Sequence, residues 1–183
     1  MKKNLIPTLT LFIFLSMFIA CNPKTDENNK SADTTVSETI ELNAEKGIRA
    51  ANDSLYAGLN AMFTGNLEPL NRLWSHSETI TDMGPFGGRL TGWKEVHEEF
   101  KKEAAMKFGG KIVCKDLHVY AGTDMGYTVC VEEGENMSTD GKPVKVSHRA
   151  TNIFHLENGE WKLVHHQTDI SSQLEKAFEV VTK

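Results

Sequence analysis

The stretch from residue 111 to residue 170 carries most of the predicted fold, and it divides into KIVCKDLHVYA (111–121), MGYTVCVEEGEN (125–136), PVKVSHRATNIFHL (143–156) and EWKLVHHQTDI (160–170). Polar and apolar residues alternate through much of each run, which is the side-chain period of a β-strand. Turns that contain glycine separate the runs, at residues 122–124, 140–141 and 158–159. The pattern predicts four consecutive antiparallel strands joined as hairpins.

Helical periodicity precedes these strands. Apolar residues at helical spacing predict a first helix that begins near Ala44 and ends at Gly65-Asn66. Further patterns predict a short second helix, a strand over 76–82, a third helix over 93–107 and a final short helix from 172 to about 180. Helices followed by a meander predict an α+β fold, with three N-terminal helices packed against an antiparallel sheet.

The N-terminus has the pattern of an export signal. Lys2 and Lys3 precede an apolar run from Leu5 to Ile19, and Ala20 precedes Cys21. A run this short, with a basic start, is typical of a cleaved signal peptide and not of a membrane span. The small residue before the cysteine resembles the lipobox of bacterial lipoproteins, which implies a signal peptide over 1–20 and an acylated Cys21. An ordinary signal peptide with an incidental cysteine is the alternative.

Residues 22–43 are rich in Asn, Asp, Glu, Lys, Ser and Thr and contain few large apolar groups. Such a segment cannot bury enough surface to offset its ordering entropy. We therefore predict a disordered tether over 21–43 and a folded domain over 44–183. The expected location is the periplasm or the outer membrane, where the lipid anchor makes the only membrane contact.

Composition disfavours two classes of partner. The net charge is -5, and no cluster of lysine and arginine follows the first three residues, so the phosphate neutralisation that nucleic-acid binding requires is missing. The seven histidines include no His-Glu-x-x-His motif, and adjacent His165 and His166 must point to opposite faces of a strand. We predict no metal site and no cofactor.

Three segments resemble one family: LWSHSETITDMGPFGGRLTGWKEV (73–96), RATNIF (149–154) and GEWKLVHHQ (159–167). They are similar to the SnoaL-like branch of the nuclear transport factor 2-like superfamily, which includes the ketosteroid isomerases. The resemblance covers roughly residues 44–171. It implies a cystatin-like cone, in which a curved antiparallel sheet wraps round the helices and leaves a pocket at its open end. The fold hosts enzymes, ligand carriers and assembly domains, so it does not specify a function.

Asp82 is the candidate catalytic residue. The resemblance places it where the isomerases keep their general base, and a dry pocket would let a carboxylate abstract a proton next to a carbonyl. The isomerases' oxyanion donors are missing at the matching positions: Gly58 stands at the tyrosine position, and the late strand has no aspartate near His148. The alternative is that Asp82 holds the following Gly/Pro turn through hydrogen bonds.

The resemblance also suggests residues that would line the pocket. Arg149 and Thr151 share one face of their strand, and uninterrupted alternation puts His165 and Gln167 on one face of the next. An inward Arg149 would favour an anionic ligand, although an internal ion pair is equally possible. Trp93 is expected at the pocket rim, and Trp74 is expected in the core.

Cys114 and Cys130 lie on neighbouring predicted strands, and the hairpin register decides whether they meet. One register separates them on opposite faces, and a loop one residue longer puts them directly across from each other. A disulfide and two separate thiols both remain open at this point.

Three functions follow from these features. The first is a lipid-anchored envelope protein that binds an unidentified small molecule, which could be anionic. The second is an isomerase or lyase, of isomerase or dehydratase type, that uses Asp82 to abstract a proton next to a carbonyl. The third is an envelope assembly domain that binds no ligand. We expect a homodimer formed through the outer sheet face.

Overall fold

A computed structural model of the protein describes residues 27–107, 109–138 and 141–178. The elements in chain order are α1 (Glu27–Met62), α2 (Glu68–Leu73), β1 (Thr81–Met83), β2 (Leu90–Thr91), α3 (Trp93–Met106), β3 (Lys111–Ala121), β4 (Met125–Met137), β5 (Pro143–Glu157), β6 (Glu160–Thr168) and α4 (Ser172–Phe178). This order confirms the predicted α+β fold. The four long strands begin and end close to their predicted bounds because glycine turns delimit them.

One curved sheet contains all six strands, in the order β2-β1-β6-β5-β4-β3. The strands β3 to β6 form the predicted antiparallel meander. In contrast, β1 is parallel to β6, and Asp82 lies beside His166. The strand predicted over 76–82 shrinks to Thr81–Met83 because Ser77 Oγ accepts a hydrogen bond from the Thr79 amide (3.1 Å). That local bond competes with strand pairing.

The core lies between α1 and the sheet. The apolar stripe of α1 is almost completely buried through Ile48, Leu55 and Met62. Gly126 on β4 allows the close approach of this helix, because a Cβ atom at that position would collide with Ile48 Cδ1. Trp74, which is 2% exposed, also belongs to this core, as the sequence predicts.

Helix α1 begins much earlier than composition predicts. Residues 27–43, assigned above to a disordered tether, are helical. They contain neither glycine nor proline, and extending an existing helix costs far less than nucleating one. From Glu38 onward, where side-chain burial is described, the first buried side chain is Ala44. The signal peptide, Cys21 and the start of the tether lie outside the described residues. Among the described residues, no helix has the length and hydrophobicity needed to cross a bilayer.

A β-bulge in β6 changes which side chains face inward. Ile153 pairs with His165 and Phe154 pairs with Leu163, which leaves Val164 as an extra residue in β6. Leu163 and His166 are consequently both buried, although they are three residues apart. The bulge reverses the alternation for the rest of the strand, and this determines the chemistry of the interior.

Candidate functional site

A cavity of about 60 Å³ lies inside the cone. Residues of α1, α3, α4, β1 and β3 to β6 line it, together with the turn after β1. Its apolar wall includes the rings of Phe63, Phe86 and Phe100. Its polar wall consists of Asp82, Glu103, Glu132, Asn136, His148 and His166. The cavity therefore combines hydrophobic surface with several ionisable groups, which is the usual composition of a ligand site.

Asp82 contributes a carboxyl group from the middle of β1. The residue is 7% exposed, and its Oδ1 atom has no hydrogen-bond partner. Burial, reinforced by the negative charge of Glu99, raises the pKa of Asp82 to about 7, although a hydrogen bond from the Met83 backbone opposes the increase. An acid of this strength changes its protonation state near neutral pH. The structure thus places Asp82 in the cavity, with one oxygen available to a ligand.

Two glutamates share the cavity with Asp82. The phenol of Tyr56 donates a hydrogen bond to Glu132 Oε1 (3.1 Å), yet burial still raises the pKa of Glu132 to about 7, with a further contribution from Asp82. Glu103 reaches the cavity from α3, and burial with repulsion from Asp82 and Glu99 raises its pKa to about 8. Asp82 repels both glutamates, so the ionisation of all three carboxyl groups together in the empty cavity is unfavourable.

A hydrogen-bonded network fixes the orientation of His166. Its Nδ1 atom lies 2.7 Å from Asn152 Oδ1. The Asn152 amide nitrogen donates to Asn52 Oδ1 (3.1 Å) and to Thr128 Oγ1 (3.1 Å), and the Thr128 hydroxyl donates to Asn52 Oδ1 (2.8 Å). Since Asn152 Oδ1 can only accept, His166 carries its proton on Nδ1 and keeps Nε2 as an acceptor. Burial lowers the pKa of His166 to about 4, so the ring is neutral at pH 7.

His148 is the second histidine in the cavity wall. It is 5% exposed, and its Nδ1 atom has no hydrogen-bond partner, although Glu132 Oε2 lies 3.9 Å away. Burial lowers its pKa, against an opposing contribution from Asp169. The cavity therefore contains a second unsatisfied polar atom besides Asp82 Oδ1.

The structure places Arg149 outside the cavity, so the expectation of an inward arginine is wrong. Its guanidinium donates to both carboxylate oxygens of Asp169, with two contacts of 2.8 Å. The Arg149 side chain is 84% exposed. Thr151 and Gln167 also lie on the outer face of the sheet, in a shallow depression beside this ion pair. The residues of β5 that face inward alternate with Arg149 and Thr151, and they include His148 and Asn152.

His165 is half-buried and does not line the cavity. Its Nδ1 atom lies 2.7 Å from the hydroxyl of Thr81 on β1. The bulge at Val164 explains the misplacement, because unbroken alternation after Leu163 would have turned His165 inward. Instead His166 occupies the inward position.

Trp93 is half-buried between two histidine rings and does not line the cavity. Its ring centroid lies 4.3 Å from that of His76 and 4.9 Å from that of His97, with nearly parallel planes in both pairs. The indole also packs partly against the hydrophobic core. The predicted role of Trp93 at the pocket rim therefore has no support in its position.

Sequence reasoning missed Glu103, Glu132, His148 and His166 as members of the site. On β4 the usual pattern is inverted: apolar Tyr127 and Val129 face outward, while polar residues such as Glu132 face inward. A rule that buries apolar residues therefore selects the wrong face of this strand. The missing side chain of Gly126 accommodates α1, so this residue faces inward. Counting along β4 from Gly126 in steps of two would have identified the other inward positions.

The two interior cysteines are free thiols. Ala121 pairs with Gly126, and a bulge between Lys115 and His118 places Cys114 opposite Glu132. Both thiols face inward: Cys130 Sγ lies 3.0 Å from the Tyr56 hydroxyl, and Asn52 Nδ2 lies 3.6 Å from Cys114 Sγ. This register brings the thiols to the same face without placing them directly across from each other.

The turn after β1 closes one side of the cavity. The Gly87 amide donates to the Gly84 carbonyl (3.2 Å), and the Ser171 amide donates to the Pro85 carbonyl (2.9 Å). The second bond connects this turn to the start of α4, where buried Leu174 also lines the cavity.

Among the described residues, no group of three His, Cys, Asp or Glu side chains is arranged to coordinate a metal ion.

A family model described as the SnoaL-like domain matches residues 48–171. The F-box protein SKIP8 of Arabidopsis thaliana is 25% identical over 104 residues, which make up 57% of this chain but only 42% of the plant protein. The chain therefore matches less than half the length of that relative.

Two solved structures show the same fold. A proposed dehydratase of the NTF2-like family from Streptomyces avermitilis is 21% identical, with a TM-score of 0.63 over 72% of this chain and 99% of that one. The CaMKII hub of S. rosetta is 19% identical, with a TM-score of 0.53 over 69% of this chain and 96% of that one. Since the family model covers more than half of the sequence, the chain belongs to the SnoaL-like domain family, and its fold is that of the NTF2-like proteins.

Proposed function

We propose that the chain is an exported, lipid-anchored protein whose SnoaL-like domain binds a small molecule in the interior cavity. Asp82 is the main polar contact for that molecule. The observation that carries the proposal is the buried Asp82 Oδ1 atom, which lines the cavity and has no hydrogen-bond partner. An unsatisfied buried acceptor costs on the order of 1–3 kcal/mol, and a ligand that donates a hydrogen bond would remove this cost.

Asp82→Asn should weaken ligand binding at least tenfold, since the amide supplies one acceptor instead of two and carries no charge. Compounds that copurify with the protein are released by denaturation and identified by mass spectrometry, and their affinities are then measured by calorimetry. Asp53→Asn is the matched control, because Asp53 is an exposed residue of α1. Equal binding by the wild type and Asp82→Asn would refute the assignment of Asp82 as the main contact.

A second candidate function is general-base catalysis by Asp82. The specific support is its pKa of about 7, which suits proton abstraction at neutral pH. A proton-donating acid nearby would stabilise an oxyanion, and Glu132, with a pKa of about 7, can supply that proton. Deuterium exchange next to the carbonyl of a bound cyclic ketone, followed by NMR, distinguishes an enzyme from a binding protein. An enzyme would be identified by fast exchange in the presence of the wild type and by exchange at the uncatalysed solvent rate in the presence of Asp82→Asn.

The lipid anchor leads to a separate prediction. Cys21→Ser should abolish incorporation of labelled fatty acid and move the protein from the membrane fraction to the soluble fraction, because the acyl chains supply the only membrane affinity expected. Cys114→Ser is the control, since that thiol lies inside the folded domain. A Cys21→Ser protein that remains in the membrane fraction would contradict the anchor.

The outer face of the sheet supports a homodimer. Its outer apolar patch consists of Tyr120, Met125, Tyr127 and Val129, whose exposed fractions range from 36% to 56%. The rings of Tyr120 and Tyr127 stack with their centroids 5.2 Å apart. Exposed apolar groups clustered in this way favour a protein contact, and the similar S. rosetta protein is named as a hub.

Tyr127→Glu should therefore convert the dimer to a monomer, because it puts a charge into an apolar interface. Light scattering coupled to size-exclusion chromatography measures the mass. Ile170→Glu is the control, since Ile170 is 66% exposed but does not belong to the outer apolar patch. A monomeric wild type, or a dimer that persists with Tyr127→Glu, would rule out this interface.

A further inference from the structure

The charges of the cavity wall are all acidic. Asp82, Glu103 and Glu132 contribute three carboxyl groups, and none of the described residues that line the cavity is a lysine or an arginine. The two histidines do not compensate, because burial lowers the pKa of both rings. Since Arg149 is paired with Asp169 on the outer face, the feature that suggested an anionic ligand does not belong to this cavity.

The unsatisfied atoms point to the same kind of ligand. Asp82 Oδ1 and His148 Nδ1 are both buried without a hydrogen-bond partner, and both residues line the cavity. The tautomer of His166 leaves its Nε2 atom as an acceptor. The carboxylate oxygen and the His166 nitrogen require a donor, so a molecule rich in N–H or O–H groups would satisfy the wall better than one rich in acceptors.

The apolar wall fits an organic cation. Phe63, Phe86 and Phe100 line the same cavity as the three carboxyl groups. Aromatic rings attract ammonium groups through their quadrupole, and the attraction increases where water is excluded. The cavity is much smaller than a site for a drug-sized ligand, which occupies roughly 300–1,000 Å³. The ligand must therefore be compact.

We propose that the cavity binds a compact organic ammonium ion, held by the carboxyl groups of Asp82, Glu103 and Glu132 and surrounded by the three phenylalanine rings. The proposal rests on the proposed function, because it specifies the chemical class of the ligand in the same cavity. The cation would offset the repulsion among the carboxyl groups.

The test uses probe series that differ in charge and are matched in shape. Propylammonium is compared with its uncharged isostere propan-1-ol and with the anion propanoate. Methylammonium and ethylammonium extend the series to smaller sizes, and Mg²⁺ tests for an inorganic cation. Binding to the purified full-length protein at pH 8 is measured by calorimetry and by the shift in melting temperature. We expect at least one ammonium probe to bind at least tenfold more tightly than its uncharged isostere.

Affinity for that probe should also increase between pH 6 and pH 8.5, because binding the cation displaces protons from the acids. The titratable groups that line the site are Asp82 on β1, Glu103 on α3, Glu132 on β4, His148 on β5 and His166 on β6. Glu99 on α3 and Tyr56 on α1 act on these acids from outside the cavity wall. Glu132→Gln and Glu103→Gln should each weaken binding at least tenfold. Glu133→Gln, the exposed neighbour of Glu132 on the same strand, is the matched control and should bind like the wild type.

The outcomes separate the two proposals. If uncharged or anionic probes bind through Asp82 and no ammonium probe binds, the cationic ligand is refuted and the small-molecule site is retained. If only Mg²⁺ binds, the organic ligand is refuted. If no probe binds and no compound copurifies, both proposals fail. Circular dichroism of each variant establishes that lost binding does not come from lost folding, and equal weakening by Glu133→Gln would also overturn the inference.

Discussion

Replacing Asn152 with leucine should lower the free energy of unfolding by about 3–5 kcal/mol. Asn152 is completely buried, and its side chain links Asn52, Thr128 and His166. Leucine has a similar volume but forms no hydrogen bonds, so the Nδ1–H group of His166 would remain buried without an acceptor. Chemical denaturation measures the effect. The dependence of the unfolding free energy on denaturant concentration should stay constant, while the denaturant concentration at the midpoint of unfolding falls.

Thr151→Leu is the matched control for this substitution. Thr151 precedes Asn152 on β5 but lies on the outer face of the sheet. We expect a change within about 0.5 kcal/mol, the usual range for surface substitutions. A larger loss from Thr151→Leu than from Asn152→Leu would mean that the faces of β5 are assigned the wrong way round.

The stability of the ligand-free protein should fall by roughly 2 kcal/mol between pH 7 and pH 8.5. Asp82, Glu103 and Glu132 have pKa values of about 7, 8 and 7 in the folded protein, well above those of exposed carboxyl groups. Over this interval the folded protein retains more protons than the unfolded chain, so raising the pH favours unfolding. The buried histidines, whose pKa values are lowered, act in the opposite direction, but only below about pH 7.

The corresponding decrease in melting temperature is about 5–10 °C for a domain of this size. Asp82→Asn and Glu132→Gln should each reduce the decrease, because each removes one acid and relieves the repulsion on the others. Asp53→Asn, at an exposed position, should leave the pH dependence of the melting temperature unaltered. A melting temperature that stays constant or rises from pH 7 to pH 8.5 would contradict the proposed burial of these acids.

Much of the fold is predictable because it follows from local patterns. The turns at Gly122, Gly141 and Gly159 set the strand bounds, and the apolar stripe of α1 defines its buried face. The parallel pairing of β1 with β6 is not predictable in this way. It depends on a contact across more than eighty residues, and the sequence around Thr81 contains no signal for its partner.

The candidate site is harder to predict than the fold, because one extra residue in a strand reverses which of its side chains face inward. Unbroken alternation assigns His165 to the interior, whereas the bulge at Val164 places His166 there. Arg149 could not be assigned from the sequence, because a ligand contact and an ion pair were both open and only the fold brings Asp169 beside it. Asp82 could be identified because the resemblance places it at the position of the isomerases' general base, and that match requires no knowledge of the partner strands.

The early part of α1 affects how far the domain would stand from a bilayer. Residues 27–43 are helical, and a helix rises 1.5 Å per residue, so this segment extends roughly 25 Å. A flexible chain of equal length has a similar average span but often folds back on itself. In a chain anchored at Cys21, a helix of this length that stood away from the bilayer would hold the domain beyond the lipid headgroups. The cavity would then meet dissolved molecules, and lipids of the same membrane would be out of its reach.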